Sequence, residues 1–162
     1  MTSLLKTGVT EFTTPSDTEV AVMRVINAAR PLAWDLWTNP KHMQKWLLGP
    51  EGWTMPVCEV DLRAGGLWKM TWRKDAEAEM TMTGSYVEVT PPSRVVTTER
   101  WGPEWPETTN TVELSDFGNQ TKLTLTIKYP SKAARDAALA TGMKTGMDVS
   151  FSRLDALAAS GE

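Results

Sequence analysis

From residue 55 onward, apolar and polar residues alternate with a period of two. Cys58, Val60 and Leu62 alternate with Glu59, Asp61 and Arg63. After Gly65-Gly66, a hairpin turn signal, Trp68, Met70 and Trp72 alternate with Lys69, Thr71 and Arg73. This is the pattern of half-buried strands. The turn-like residues 75–78 lead into a strand through Met80 and Met82 to Val89, and Pro91-Pro92-Ser93 ends it. Residues 94–101 predict a further strand, followed by a proline-rich loop over 102–107. Residues 109–114 and 121–129 predict a hairpin across Asp116-Phe117-Gly118-Asn119. Turns at such regular intervals indicate an antiparallel meander.

The ends of the chain read differently. Residues 19–26 predict a strand rich in β-branched residues, with a short extra strand over 8–14 before it. Pro31 suits a first helical position, and Ala33, Leu36 and Trp37 fall on one helical face. Asn39-Pro40 stops that helix and opens a second one through Trp46. The last segment, 131–159, predicts one long helix with Ser131 as N-cap. Its apolar stripe is Leu139, Met143, Met147, Phe151 and Leu154. The fold class expected is therefore α+β: a curved antiparallel sheet wrapped around a long C-terminal helix, with two short helices after the first main strand. Residues 1–18 form an N-terminal extension and 19–159 a single domain.

Composition sharpens the functional question. With 162 residues, 41% hydrophobic and 23% charged, the chain is an ordinary globular domain. A net charge of −3 argues against nucleic acid as a partner. No apolar run reaches the length of a membrane span. The first six residues carry too short an apolar stretch for a signal peptide, and the single Cys58 excludes an internal disulfide. A cytoplasmic location is expected. The unusual counts are 8 Trp and 9 Met against 3 Phe and 2 Tyr. Leaving an indole of up to about 250 Å² uncovered forfeits up to about 6 kcal/mol at roughly 25 cal/mol per Å². Core, ligand or partner must cover most of these rings.

Several motifs run in order through the chain. They are Ala33-Trp34-Asp35-Leu36-Trp37-Thr38-Asn39-Pro40, Gly49-Pro50-Glu51-Gly52-Trp53 after Trp46, and Asp61-Leu62-Arg63-Ala64-Gly65-Gly66 before Trp68. Further on come Met82-Thr83-Gly84-Ser85-Tyr86-Val87-Glu88-Val89, Thr98-Glu99-Arg100-Trp101, Thr121-Lys122-Leu123-Thr124-Leu125, Gly142-Met143, Gly146-Met147 and Arg153-Leu154. Through them the chain, over about residues 19–158, resembles the START-like or helix-grip (SRPBCC) superfamily. Within it, the chain is similar to the family named after the carboxy-terminal domain of the heat-shock protein 90 ATPase activator. The resemblance implies the helix-grip fold and a hydrophobic cavity between sheet and C-terminal helix. It implies no single function, since members include lipid carriers, hormone receptors, cyclases and cochaperone domains. Many bacterial members carry a bulky aromatic near the position of Met147. The eukaryotic cochaperone has a further chaperone-binding domain, for which a chain of this length has no room.

The candidate cavity wall is Trp68, Met70, Trp72, Met80 and Met82 from the sheet, with Met143, Met147 and Phe151 facing them from the helix. Methionine suits an adaptable surface. Glu99 and Trp101 share a strand face with Val95 and Thr97, a parity that does not assign the face to cavity or solvent; if that face is the cavity wall, Glu99 is the candidate buried acid. Trp46, Trp53 and Trp105 are candidates for the pocket rim or an interaction loop. Asp61 and Arg63 read as an ion pair beside the turn. Cys58 reads as a small buried hydrophobe, and the lone His42 as a surface residue. Gly142 and Gly146 weaken a helix, and close packing on the sheet is the default reason for them.

The leading expectation is binding of a small hydrophobic or aromatic ligand in a stress-related or regulatory role. It needs no cofactor and no metal, and no catalytic residue is assigned. One alternative is a cochaperone-like protein-interaction module, with Trp101 and Trp105 at its surface. The other is a cyclase- or hydrolase-like enzyme using Glu99, Arg24 or Arg73; it ranks last because no acid–base pair is evident. Neither a membrane nor nucleic acid is expected as partner. Monomer and homodimer both stay open.

Overall fold

The computed structural model describes residues 7–76 and 78–160. The first six residues of the expected extension and Glu77 of the expected 75–78 turn lie outside the described residues. The elements are β1 (Glu11–Ser16), β2 (Glu19–Ile26), α1 (Arg30–Thr38), α2 (Pro40–Trp46), β3 (Thr54–Val60), β4 (Leu67–Lys74), β5 (Ala78–Thr90) and β6 (Arg94–Glu99). They continue with β7 (Thr108–Phe117), β8 (Gln120–Lys128), α3 (Lys132–Leu139) and α4 (Met143–Ala159).

The strands form one eight-stranded antiparallel sheet in the order β1-β2-β8-β7-β6-β5-β4-β3. The meander from β3 to β8 is the one the alternation predicts. β2 then closes onto β8, in register from Glu19 opposite Lys128 to Ile26 opposite Thr121. Register shifts in β3 and β5 bend the sheet. The expected extra strand is displaced to Glu11–Ser16 and takes Pro15 in. An edge strand tolerates proline because its outward N–H has no partner to lose. The turn before β8 shrinks to Gly118-Asn119, since Phe117 still pairs with Gln120.

The helical region departs from the sequence reading. The expected single helix over 131–159 is broken into α3 and α4. Ser131 does cap the first, its Oγ accepting from the Ala134 N–H at 3.1 Å. Gly142 then adopts φ +82 and ends the run, because a left-handed residue cannot continue a right-handed helix. The apolar stripe is continuous in sequence, but its carrier is two helices set apart by a hinge-like break.

The core fills the space between sheet and helices. Val20, Val22, Leu36, Leu123 and Leu154 are fully buried there. Trp37, Trp46 and Phe151 form a ring cluster with centroids 5.1–6.3 Å apart, which joins α1, α2 and α4. Arg24 shares the inward face of β2 with Val20, Val22 and Ile26 and is only 2% exposed. Its guanidinium pairs with Asp155 and, at 3.3 Å, with Asp148 on α4, and sits 5.7 Å from the Phe151 ring centroid. Among the described residues no helix is long and apolar enough to cross a membrane.

Candidate functional site

Between the concave face of the sheet and the start of α4 lies a cavity of about 550 Å³. That falls within the range of small-molecule sites. Its floor comes from β4 to β8. The loop after α2 and the first turns of α4 form the opposite wall. Two hydrogen bonds hold that wall together. Gly49 N–H donates to Ser150 Oγ at 2.8 Å, and Arg153 donates to the Gly49 carbonyl at 2.6 Å.

The structure places Trp68, Met70, Trp72, Met80, Met82, Glu99, Trp101, Met143, Met147 and Phe151 in this lining, and Trp46, Trp53 and Trp105 with them. Their arrangement is uneven. Trp68, Met70, Trp72 and Met82 are buried beneath the cavity, whereas Met80 is 40% exposed at its edge. Trp46 is core rather than rim, 1% exposed, with its Nε1 donating to the Leu36 carbonyl at 2.7 Å. Trp101 turns inward and stacks on Trp72 with centroids 5.3 Å apart. Trp105 is left at the edge, 36% exposed.

Glu99 is the only charged residue among the described lining residues. Both of its carboxyl oxygens are held. Trp101 Nε1 donates to Oε1 at 2.7 Å, and Asn110 Nδ2 donates to Oε2 at 2.6 Å. Thr108 Oγ1 donates in turn to Asn110 Oδ1 at 2.9 Å, which fixes the amide. Burial pushes the Glu99 carboxyl up to about 7, against the lowering effect of the Trp101 hydrogen bond. Tyr129 lines the same end, its hydroxyl donating to Met143 Sδ at 3.8 Å. Burial, with Glu99 nearby, pushes its phenol up to about 12. An acid poised near neutrality is thus set among groups that do not ionise with it.

The other residues singled out by their chemistry lie elsewhere. Arg24 is buried in its ion pairs outside the lining, and Arg73 is exposed and pairs with Glu79 at 2.7 Å. Asp61 and Arg63 form an exposed pair at 2.9 Å beside the turn. Burial pushes the Cys58 thiol up to about 11, so it is not a thiolate nucleophile at neutral pH. His42 is less of a surface residue than expected: its Nε2 meets Asp35 Oδ2 at 2.8 Å. Among the described residues no three His, Cys, Asp or Glu side chains come together as a metal site.

Two corrections concern the glycines and the polar partners. Gly146 is not a close-packing residue, since a Cβ there would meet only Pro50 Cδ, at an ordinary 3.6 Å. It borders the cavity, as Gly142 does. Asn110, Thr108 and Tyr129 were not singled out by the sequence. Strand parity carried a signal: Thr108, Asn110, Val112 and Leu114 are the buried alternates of β7.

No protein of curated function matches this chain in sequence. A solved structure from Rhodobacter sphaeroides superimposes with TM-score 0.88 at 27% identity, covering 95% of this chain and 100% of that one. A protein from Nitrosomonas europaea gives TM-score 0.81 at 22% identity over 91% of this chain and 98% of that one. An AHSA1-like protein from Aeromonas hydrophila gives 0.71 at 18% identity over 86% and 93%. The fold, a START-like helix grip, is common to all three. The sequence pattern of the activator of Hsp90 ATPase homolog 1-like proteins matches residues 27–159, from the end of β2 through α4. On that match, which takes in most of the sheet and all four helices, the chain belongs to the family of activator of Hsp90 ATPase homolog 1-like proteins.

Proposed function

We propose that this protein binds a small, largely apolar molecule, with a flat or aromatic body, in the cavity between sheet and α4. One observation carries the reading: about 550 Å³ of space walled by indoles, thioethers and aliphatic side chains, with Glu99 the one charged side chain among the described lining residues. A core built only for stability would fill such a space, because voids cost dispersion contacts and transfer energy. Methionines on both walls allow the lining to adapt to the guest. The family and fold support a ligand-binding or regulatory module at this level. A regulatory role follows naturally if the guest changes the mouth formed by α4 and the 102–107 loop.

Native mass spectrometry of the protein purified from its own cells tests this directly. Denaturation should release a stoichiometric apolar passenger. An empty protein whose indole emission also ignores 1-anilinonaphthalene-8-sulfonate would overturn the reading. The protein-interaction alternative now rests on Trp105, because Trp101 is committed to Trp72 and Glu99. The enzymatic alternative rests on Glu99 alone.

A further inference from the structure

The strand register draws one line of residues across the cavity floor. Trp68 pairs with Gly84. The Thr83–Arg100 bridge and the Tyr86–Thr97 pair on either side put Gly84 next to Glu99. Glu99 pairs with Thr108, and the Thr109–Lys128 pair puts Thr108 next to Tyr129. Paired residues share a face, and neighbouring strands lie about 4.8 Å apart. Trp68, Glu99, Thr108 and Tyr129 all line the cavity, so the line is a polar seam in an apolar floor.

Gly84 shapes the seam. A Cβ there would lie 2.5 Å from Trp68 Cζ2 and 2.6 Å from Cε2. The indole therefore lies across the glycine with its Cε2–Cζ2 side over β5, the strand that runs beside β6 and Glu99. Trp68 is only 5% exposed, and its Nε1 finds no acceptor among the described residues. This contrasts with Trp46, Trp72 and Trp101, whose N–H groups all have partners. An indole nitrogen is a donor only, and a buried donor without a partner is costly. On the neighbouring strand, the Glu99 oxygens each accept one hydrogen bond and retain capacity for another. The seam thus carries one donor on β4 and one acceptor on β6, with only Gly84 of β5 between them in the register.

A cation brought to Glu99 would face the Trp68 N–H dipole, and an anion brought to Trp68 would face Glu99. A neutral group with an acceptor beside a donor satisfies both. Taking the binding reading above as its basis, we propose that the seam recognises a planar apolar molecule bearing an amide edge. The carbonyl oxygen accepts from Trp68 Nε1 and the amide N–H donates to Glu99. The ring body lies against the Trp72–Trp101 pair and the methionines of α4.

Calorimetry at pH 8 with three probes of similar bulk tests this: 1-naphthamide, 1-ethylnaphthalene and 1-naphthylmethylamine. The amide should bind about ten-fold tighter than the hydrocarbon, the worth of one to two buried hydrogen bonds. Trp68→Phe should bring the ratio of amide to hydrocarbon affinity down from about ten-fold towards one. Glu99→Leu should act likewise and stands in if the first variant does not fold. Equal binding of amide and hydrocarbon overturns the amide seam and leaves the cavity as a binding site. Tighter binding of the amine overturns it in favour of a cation site. Failure of all three probes removes the binding reading and the seam together.

Discussion

Trp101 donates through Nε1 to Glu99 at 2.7 Å, and the same indole stacks on Trp72. The Glu99 carboxyl and the stacked indole pair of the cavity wall are therefore mechanically joined. A change in the carboxyl is felt by a ring that forms the wall.

That contact makes Glu99 a pH-dependent element. Its carboxyl is raised from an ordinary 4.5 to about 7 by burial. Between those values the folded chain holds a proton that the unfolded chain has released. The stabilisation is thus fully present below about 4.5 and is lost as pH rises through about 7. The effect is on the order of 2 kcal/mol, allowing for the group's partial exposure to the cavity. Asp136, held below its ordinary value by the Lys132 and Arg135 hydrogen bonds, acts in the opposite sense and only at lower pH. Urea melts from pH 4.5 to 8 should slope downward for the natural chain and flatten in Glu99→Gln. Indole emission should shift with a midpoint near 7 and lose that shift in the same variant.

The two glycines of the cavity mouth should respond oppositely to alanine. Gly146→Ala adds a methyl in ordinary van der Waals contact with Pro50, on a helical backbone. It should stabilise by about 0.5–1 kcal/mol, raising Tm by a few degrees. Gly142→Ala forces a side chain onto φ +82 and should cost about 1 kcal/mol. Thermal melts of the pair decide it. Destabilisation by Gly146→Ala would show that the mouth is tighter than the structure has it.

Gly84→Ala should be among the most damaging single substitutions. Its Cβ would lie 1.9 Å from the Thr98 carbonyl oxygen as well as 2.5 Å from Trp68 Cζ2. Backbone cannot yield as a flexible side chain does. A loss of at least about 2 kcal/mol is expected, with a changed near-ultraviolet circular dichroism signal as Trp68 is displaced.

Arg24 should separate buried from exposed electrostatics. Arg24→Met strands Asp155, whose side chain is 28% exposed, and should cost about 3 kcal/mol. Asp148→Asn removes a partner whose side chain is 58% exposed and should cost under about 1 kcal/mol. Denaturant midpoints measure both. Because Arg24→Met removes both pairs, equal losses would mean that Asp148 rather than Asp155 carries the pairing.

The alternation of Trp68, Met70 and Trp72 made the sheet and one cavity wall legible in the sequence, because period two assigns a face without knowledge of any partner strand. Glu99 was legible only in part: parity grouped it with Val95, Thr97 and Trp101, but mixed residues on both faces of that strand left its inward side open. Its partners were not. Asn110 reaches it across a hairpin and Tyr129 arrives from beyond β8, so their proximity is a property of register rather than of local pattern. The helix break at Gly142 was hidden for a different reason. The stripe Leu139, Met143, Met147 keeps helical spacing through the break, and only the glycine's φ marks the interruption. Gly146 likewise looked like a packing residue until the space around it could be seen.

The pairing of β2 with β8 has a consequence for how the protein is made. Ile26 must wait for Thr121 and Glu19 for Lys128 before the sheet is whole. At roughly 5–20 residues per second, synthesis separates those partners by about 5–20 s. Throughout that interval Val20, Val22 and Ile26, later among the most deeply buried side chains, sit on a strand with β1 as its one sequence-local partner. The newborn chain therefore depends on whatever covers a nascent apolar strand, well before its own cavity exists to cover anything else.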